Sequence, residues 1–355
     1  MTATNTYRRI LVSPLNWGLG HATRLIPIVD ALVKKGHYVL LAGQLPSLDV
    51  LRQTFPELDW VELNGFNVQL SASRHQWLRL MKQIPFFFSS IKQEHKLTQS
   101  IIKQYNIDLI ISDNRYGVWS KEVHSVIITH QTTPSAGKHL SFVKPLSNLV
   151  SRHWLRKFDE CWVPDIASQD NLSGTLSGTI SQLNTHHIGL PSRLSLVDST
   201  TDDTCEVLII ISGPEPQRSI LEHTLISRFK DSHYQTTLLS GTPGGFIRKK
   251  GSVKILPHCN AKLLKSLIIN SRYIICRSGY STLIDLIHCQ QTALLVPTPG
   301  QYEQEYLAIR ASELWDFRYI NQQQLEEVAL ECLLREQKAP LPFNGSTELK
   351  LPMWL

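Results

Sequence analysis

Residues 273–308, YIICRSGYSTLIDLIHCQQTALLVPTPGQYEQEYLA, hold the densest group of side chains suited to chemistry. Arg277, Ser278 and Gly279 make a glycine turn between an apolar run and a helix pattern carrying Ser281, Thr282 and Asp285. Backbone N–H groups at such a helix start form a ready site for a diphosphate. A carboxylate one turn into the helix suits a ribose diol. Gln304 follows in a polar loop after a second apolar run, Thr292–Val296. Together these residues read as a nucleotide-sugar site.

A second group lies in the first half. Gly18 and Gly20 form a glycine turn that lets backbone approach a ligand, and His21 follows at the start of a helix pattern. The positive helix end disfavours imidazolium there, so the ring suits a base; a capping histidine is the plainer reading. Asp113 ends an apolar run and, if it touches His21, would orient the ring. A helix cap or a salt bridge to Arg115 are its other readings. His130 and Gln131 follow the next run and suit the acceptor side or a structural hydrogen bond. Arg193 suits a phosphate, and Ser212-Gly213 forms a second turn of phosphate-binding type.

Alternating elements must position these groups. Arg9–Ser13, His37–Ala42, Trp60–Leu63, Ile107–Ser112, Ser125–Thr129 and Cys161–Pro164 read as strands, most of them apolar runs fit for a parallel sheet. Residues 166–204 read as linker and loops, being rich in Ser, Thr, Gly and Asn. The pattern restarts at Glu206–Ser212 and ends in a helix pattern over Gln322–Arg335. The expected class is α/β with two Rossmann-like domains, residues 1–165 and 205–335, a tail over 336–355, and a cleft between the carboxyl ends of the two sets of strands.

The length, 355 residues, favours two cores over one. Residues 1–193 hold 20 Lys and Arg against 13 Asp and Glu, while residues 194–355 hold 16 against 17, so the positive excess lies in the first half. That suits an anionic partner. Trp77–Lys96 and His139–Phe158 mix basic and aromatic residues, as a membrane-surface contact does; helices with buried apolar faces are the other reading. No recognition motif points to nucleic acid. Six scattered cysteines without a C-x-x-C pair suit reduced thiols in the cytoplasm, and no metal ligand set is expected. No apolar segment reaches the roughly 20 residues of a membrane span. No G-x-G-x-x-G follows a strand, which argues against a dinucleotide oxidoreductase.

The run Cys276-Arg277-Ser278-Gly279-x-x-Thr282-x-x-Asp285, then Pro297 and Gln304-x-x-x-Ala308, resembles the donor site of family 28 glycosyltransferases. Among that family it is similar to the peptidoglycan N-acetylglucosaminyltransferases of the MurG type. Gly18-x-Gly20-His21, His130-Gln131 and Gly189-x-Pro191-x-Arg193 resemble further elements of that family in the same order. The resemblance implies the GT-B fold, with the acceptor in the first domain and a nucleotide sugar, expected to be a UDP-sugar, in the second. It implies metal-independent inversion with no cofactor beyond the donor. His21 would be the base with Asp113 behind it, a pairing similar to the small-molecule UDP-glycosyltransferases. Ser278, Gly279, Ser281 and Thr282 would hold the diphosphate, Asp285 the ribose and Gln304 the sugar.

Departures from the peptidoglycan enzymes are Asn16-Trp17-Gly18-Leu19, Pro214-Glu215-Pro216, Leu307, and Asp285 in place of a glutamate. The acceptor therefore stays open, a lipid-linked or cell-envelope glycan precursor being one candidate. A nucleotide-sugar hydrolase or epimerase, and a non-catalytic nucleotide-sugar-binding protein, are the competing readings. The expected location is cytoplasmic, with contact at the inner face of the membrane.

Overall fold

The computed structural model describes residues 7–65, 76–132, 151–178, 183–198, 204–242, 245–334, 343 and 346–355. The chain divides into two units. The first runs to Pro191 and takes back the tail 346–355; the second begins at Ser192.

In the first unit, strands β1 (Arg9–Pro14), β2 (Tyr38–Gly43), β3 (Trp60–Glu62), β4 (Leu109–Asp113), β5 (His124–Ile128), β6 (Glu160–Val163) and β7 (Asn184–His187) form one parallel sheet. Their order is β3-β2-β1-β4-β5-β6-β7. Successive strand residues point to opposite faces. Ile10 and Val12 therefore meet helices α1 (Leu19–Lys34) and α2 (Ser47–Thr54) through Leu25, Ile28, Val29, Leu32, Leu48 and Leu51. Leu11, Leu40 and Ile110 meet Ile101 and Ile102 of helix α3 (Gln76–Tyr105) on the other face. The spacing of Leu25, Ile28, Val29 and Leu32 is one face of a helix, so burying that face fixes α1 on the sheet.

The second unit repeats the plan. Strands β8 (Val207–Ile210), β9 (Thr236–Leu239), β10 (Arg248–Lys250), β11 (Val253–Leu256), β12 (Tyr273–Cys276), β13 (Leu294–Leu295) and β14 (Arg318–Tyr319) lie in the order β10-β11-β9-β8-β12-β13-β14, with only β10 antiparallel. Val207, Ile209, Leu238, Ile255 and Ile275 pack with Leu221, Leu225 and Phe229 of helix α4 (Gln217–Phe229). The expected architecture, two doubly wound α/β domains, holds.

Three features differ from expectation. The stretch read as linker contributes β7, whose polar sequence Asn-Thr-His-His hides a strand that still pairs with β6. The helix expected over Gln322–Arg335 is broken into a short 3-10 turn, Gln322–Leu325, and one turn of helix, Leu330–Leu333. The tail packs back on the first unit: Leu349, Leu351 and Leu355 join the core beside α1, and Lys350 N–H donates to Ile188 O at 3.0 Å. Gly189 permits this. Its φ is +79°, and a Cβ there would lie 2.0 Å from Glu348 O.

Candidate active site

In an open α/β sheet, ligands bind beyond the carboxyl ends of the strands where the strand order reverses. In the first unit that point lies between β1 and β4, whose ends Pro14 and Asp113 are register partners. In the second it lies between β8 and β12, where Ile210 pairs with Cys276. The loops that leave these four strands carry most of the residues singled out in the sequence.

In the first unit, Asn16 fixes the loop after β1: Nδ2 donates to Leu45 O at 2.8 Å, and Oδ1 accepts from Ser47 N–H at 3.1 Å. Gly18 then turns the chain at φ 138°, as the residue before α1, a conformation that favours glycine. Gly20 lies in the first turn of α1, and its carbonyl accepts from Thr23 Oγ1. His21, 18% exposed, sets Nδ1 3.1 Å from Oδ1 of the fully buried Asp113.

Sequence reasoning missed Arg24. It lies one turn beyond His21 on α1 and is buried. Its Nε donates to Asp113 Oδ2 at 2.7 Å, and Nη2 donates to Asp113 Oδ1. Nη2 also lies 2.7 Å from His21 Nδ1, and Nη1 lies 3.2 Å from Nδ1 of the buried His130. Its spacing from His21 was the available signal: residues three apart on a helix share a face.

These neighbours set the charges. Burial pushes the Asp113 carboxyl up, but Arg24 and then His21 outweigh it and hold it down at about 2. Burial and the Arg24 charge lower the His21 imidazole, against a smaller upward pull from Asp113. Gln131 is half-buried, and its backbone N–H is held by Thr129 Oγ1 at 3.0 Å. Arg115 does not pair with Asp113. It makes a buried ion pair with Glu94 and donates to Ser13 Oγ and Leu63 O.

In the second unit, Ser212 and Gly213 follow β8, Gly213 having φ +101°. Thr298 lies opposite, its Oγ1 3.9 Å from where a Gly213 Cβ would stand; this buried hydroxyl has no hydrogen-bond partner among the described residues. Thr298 was not legible in sequence. Beyond β12, Arg277 is fully buried and donates to the carbonyls of Val296, Pro297 and Gln217 at 2.9–3.1 Å. Burial lowers its guanidinium to about 10. It holds the turns after β12 and β13 to the start of α4. Ser278 Oγ donates to Gln304 O at 2.7 Å. Helix α6 (Tyr280–His288), which follows α5 (Ala261–Asn270), opens at Gly279 with no side-chain cap. Ser281 and Thr282 lie in its first turn.

Asp285, on the next turn, accepts a 2.6 Å hydrogen bond from Ser192 Oγ. Burial raises its carboxyl, against the Arg193 charge and the Ser192 bond. Arg193 thus belongs to the same cluster. Ser192 also accepts from Leu194 N–H at 3.1 Å, which caps the 3-10 turn Arg193–Leu196. Gln304, expected in a polar loop, lies instead in the first turn of the helix Tyr302–Trp315, and its carboxamide is committed locally: Oε1 accepts from Thr298 N–H at 2.9 Å and Nε2 donates to Gln301 at 2.7 Å.

Among the described residues no group of three or more His, Cys, Asp or Glu could hold a metal ion, and no helix is long and apolar enough to cross a membrane. In the first basic-aromatic stretch Phe86 is 70% exposed, while Phe88 stacks on Trp154. In the second, Leu155 and Phe158 are buried with Trp119, and residues 139–150 lie outside the described residues.

No family model matches the chain, and no curated protein matches it in sequence. Solved structures match over nearly its whole length. The spinosyn rhamnosyltransferase SpnG superposes with a TM-score of 0.61 at 13% identity, over 92% of this chain and 91% of that one. The glycosyltransferase SnogD from Streptomyces nogalater gives 0.58 at 14% identity, over 93% and 91%. MurG of Acinetobacter baumannii gives 0.53 at 11% identity, over 93% and 89%. The fold is GT-B. In this GT-B chain the two switch points carry different chemistry. A histidine–aspartate pair marks the first unit, and an uncapped helix start with a neighbouring carboxylate marks the second.

Proposed function

We propose that the chain is an inverting, metal-independent glycosyltransferase. It moves a sugar from a nucleoside-diphosphate donor, a UDP-sugar such as a UDP-N-acetylhexosamine, to a hydroxyl acceptor. The observation that carries this reading is the 3.1 Å contact between His21 Nδ1 and Asp113 Oδ1. With Nδ1–H donated to the carboxylate, Nε2 keeps its lone pair and serves as base. It takes the acceptor proton as the acceptor oxygen bonds to the anomeric carbon. The bond from that carbon to the phosphate oxygen breaks, and the diphosphate leaves with the electron pair. Asp113 balances the imidazolium that forms. The N-terminus of α6 and the Ser212-Gly213 turn stabilise charge on the leaving diphosphate, with Arg193 nearby. Asp285 takes the ribose.

The GT-B fold supports this reading, as do the neighbours. One solved relative is a complex of SpnG with thymidine diphosphate, and an Arabidopsis thaliana enzyme was solved with UDP-L-rhamnose. We further propose action at the inner face of the membrane on a lipid-linked acceptor. The exposed Phe86, with the exposed Lys92 and Lys96 on the same helix, supports that placement.

The test is a thermal-shift screen of UDP, GDP, dTDP and their sugars, followed by transfer assays with the sugar that stabilises most. Stabilisation by a uridine nucleotide and a new glycosidic product support the reading. Free sugar released without acceptor would favour a hydrolase, and no response to any nucleotide would favour a binding or scaffold role for some other ligand.

A further inference from the structure

Asp113 is one carboxylate serving two claimants. Arg24 grips both of its oxygens, and His21 Nδ1 points at one of the same two. Arg24 Nη2 also lies 2.7 Å from Nδ1; with Nδ1 protonated both are donors, so guanidinium and imidazole compete for Asp113 rather than bond to each other. A histidine paired with a free carboxylate gains a proton readily, because the opposite charge favours imidazolium. Here the negative charge is already matched by a guanidinium that does not deprotonate in proteins. The groups facing His21 are Arg24, Asp113 and His130. His130 meets the other end of the same guanidinium, so the only anion among these groups is shared.

We propose that Arg24 is a positioning residue for the base: by holding Asp113 in place and sharing its charge, it keeps His21 unprotonated between turnovers while leaving the carboxylate aimed at Nδ1. The downward displacement of the His21 imidazole by burial and Arg24 agrees with this. The base thus starts each cycle empty, and Asp113 still faces the ring when the acceptor proton arrives.

The proposal rests on His21 being the base of transfer, so its test includes one readout that does not need activity. The ring of His21 is titrated by NMR in histidine-labelled protein, with His21→Ala identifying the signal. Arg24→Met releases Asp113 to His21 alone, and the midpoint moves up by about one pH unit or more. The acid limb of kcat/KM moves up with it, so activity at neutral pH falls. Arg24→Lys restores the charge and returns the midpoint toward the wild-type position.

A loss of kcat in Arg24→Met with both the midpoint and the acid limb unmoved means a merely structural role and overturns the proposal. If Arg24→Met does not fold, the Arg24→Lys and wild-type titrations decide: a wild-type His21 that titrates above the ordinary histidine range overturns it equally. If wild type transfers no sugar from any nucleotide, the proposed function fails, and the titration still tells whether Arg24 controls His21.

Discussion

Ser192 and Asp285 stand 93 residues apart in sequence and are joined by a 2.6 Å hydrogen bond. The bond ties the first turn of the second unit to the helix that follows the glycine turn. Ser192→Ala removes the donor from a half-buried carboxylate. We expect a loss of about 1–2 kcal/mol, read as a lower Tm, and weaker uridine nucleotide binding by calorimetry.

His21→Ala separates chemistry from binding. Transfer should fall by about 10²–10⁴-fold, the usual worth of a positioned base. Nucleotide affinity, measured by calorimetry, should stay as in wild type, because the residues expected to hold the donor lie in the other unit. Equal transfer rates in the variant and wild type would sink the base assignment.

Asp113→Asn leaves Arg24 buried without its counter-charge, a change that costs about 3–5 kcal/mol. The acid side of the stability profile changes too. Asp113 is held at about 2, below its ordinary 3.8, so its contribution is complete above pH 3.8 and is lost as pH falls toward 2. His21 acts in the same direction at higher pH. Its lowered value means the unfolded chain binds more protons below 6.5, so stability falls as pH drops through that range. Melting curves from pH 7 to pH 2 should therefore decline in two stages in wild type, and the lower stage should flatten in the variant.

The two glycine turns of the second unit should respond differently to alanine. Gly213 has φ +101°, so Gly213→Ala strains the backbone by about 1–3 kcal/mol even though space is available. Gly279 has φ −73° and room for a methyl group, so Gly279→Ala should leave Tm unchanged. A methyl group at the helix mouth should still lower nucleotide affinity there. A Gly279→Ala variant with both Tm and affinity unchanged would remove that helix start from the donor site.

Much of the fold was legible because buried parallel strands are apolar runs, and glycine turns follow them. Ile10–Val12, Leu109–Ile111 and Val207–Ile210 announce themselves this way. β7 did not, because Asn184–His187 is a polar edge strand with little apolar surface to betray it. Arg24 was hidden inside a helix that reads as apolar; its meaning depends on a carboxylate 89 residues away. Ser192 and Thr298 were invisible for the same reason. A hydroxyl gains a role only from what the fold sets beside it, Asp285 for Ser192 and the Gly213 turn for Thr298, and neither neighbour is local in sequence. Gln304 was singled out by its type but read as loop, whereas it opens a helix and bonds to Thr298 and Gln301.

The return of residues 346–355 to the first unit has a consequence for biosynthesis. Leu349, Leu351 and Leu355 fill the core beside α1, yet they leave the ribosome after the whole of the second unit. During translation, residues 7–191 therefore wait with part of their apolar surface uncovered while the second unit is made. Domains usually fold in order of synthesis. Here the half that appears first is the half that is finished last.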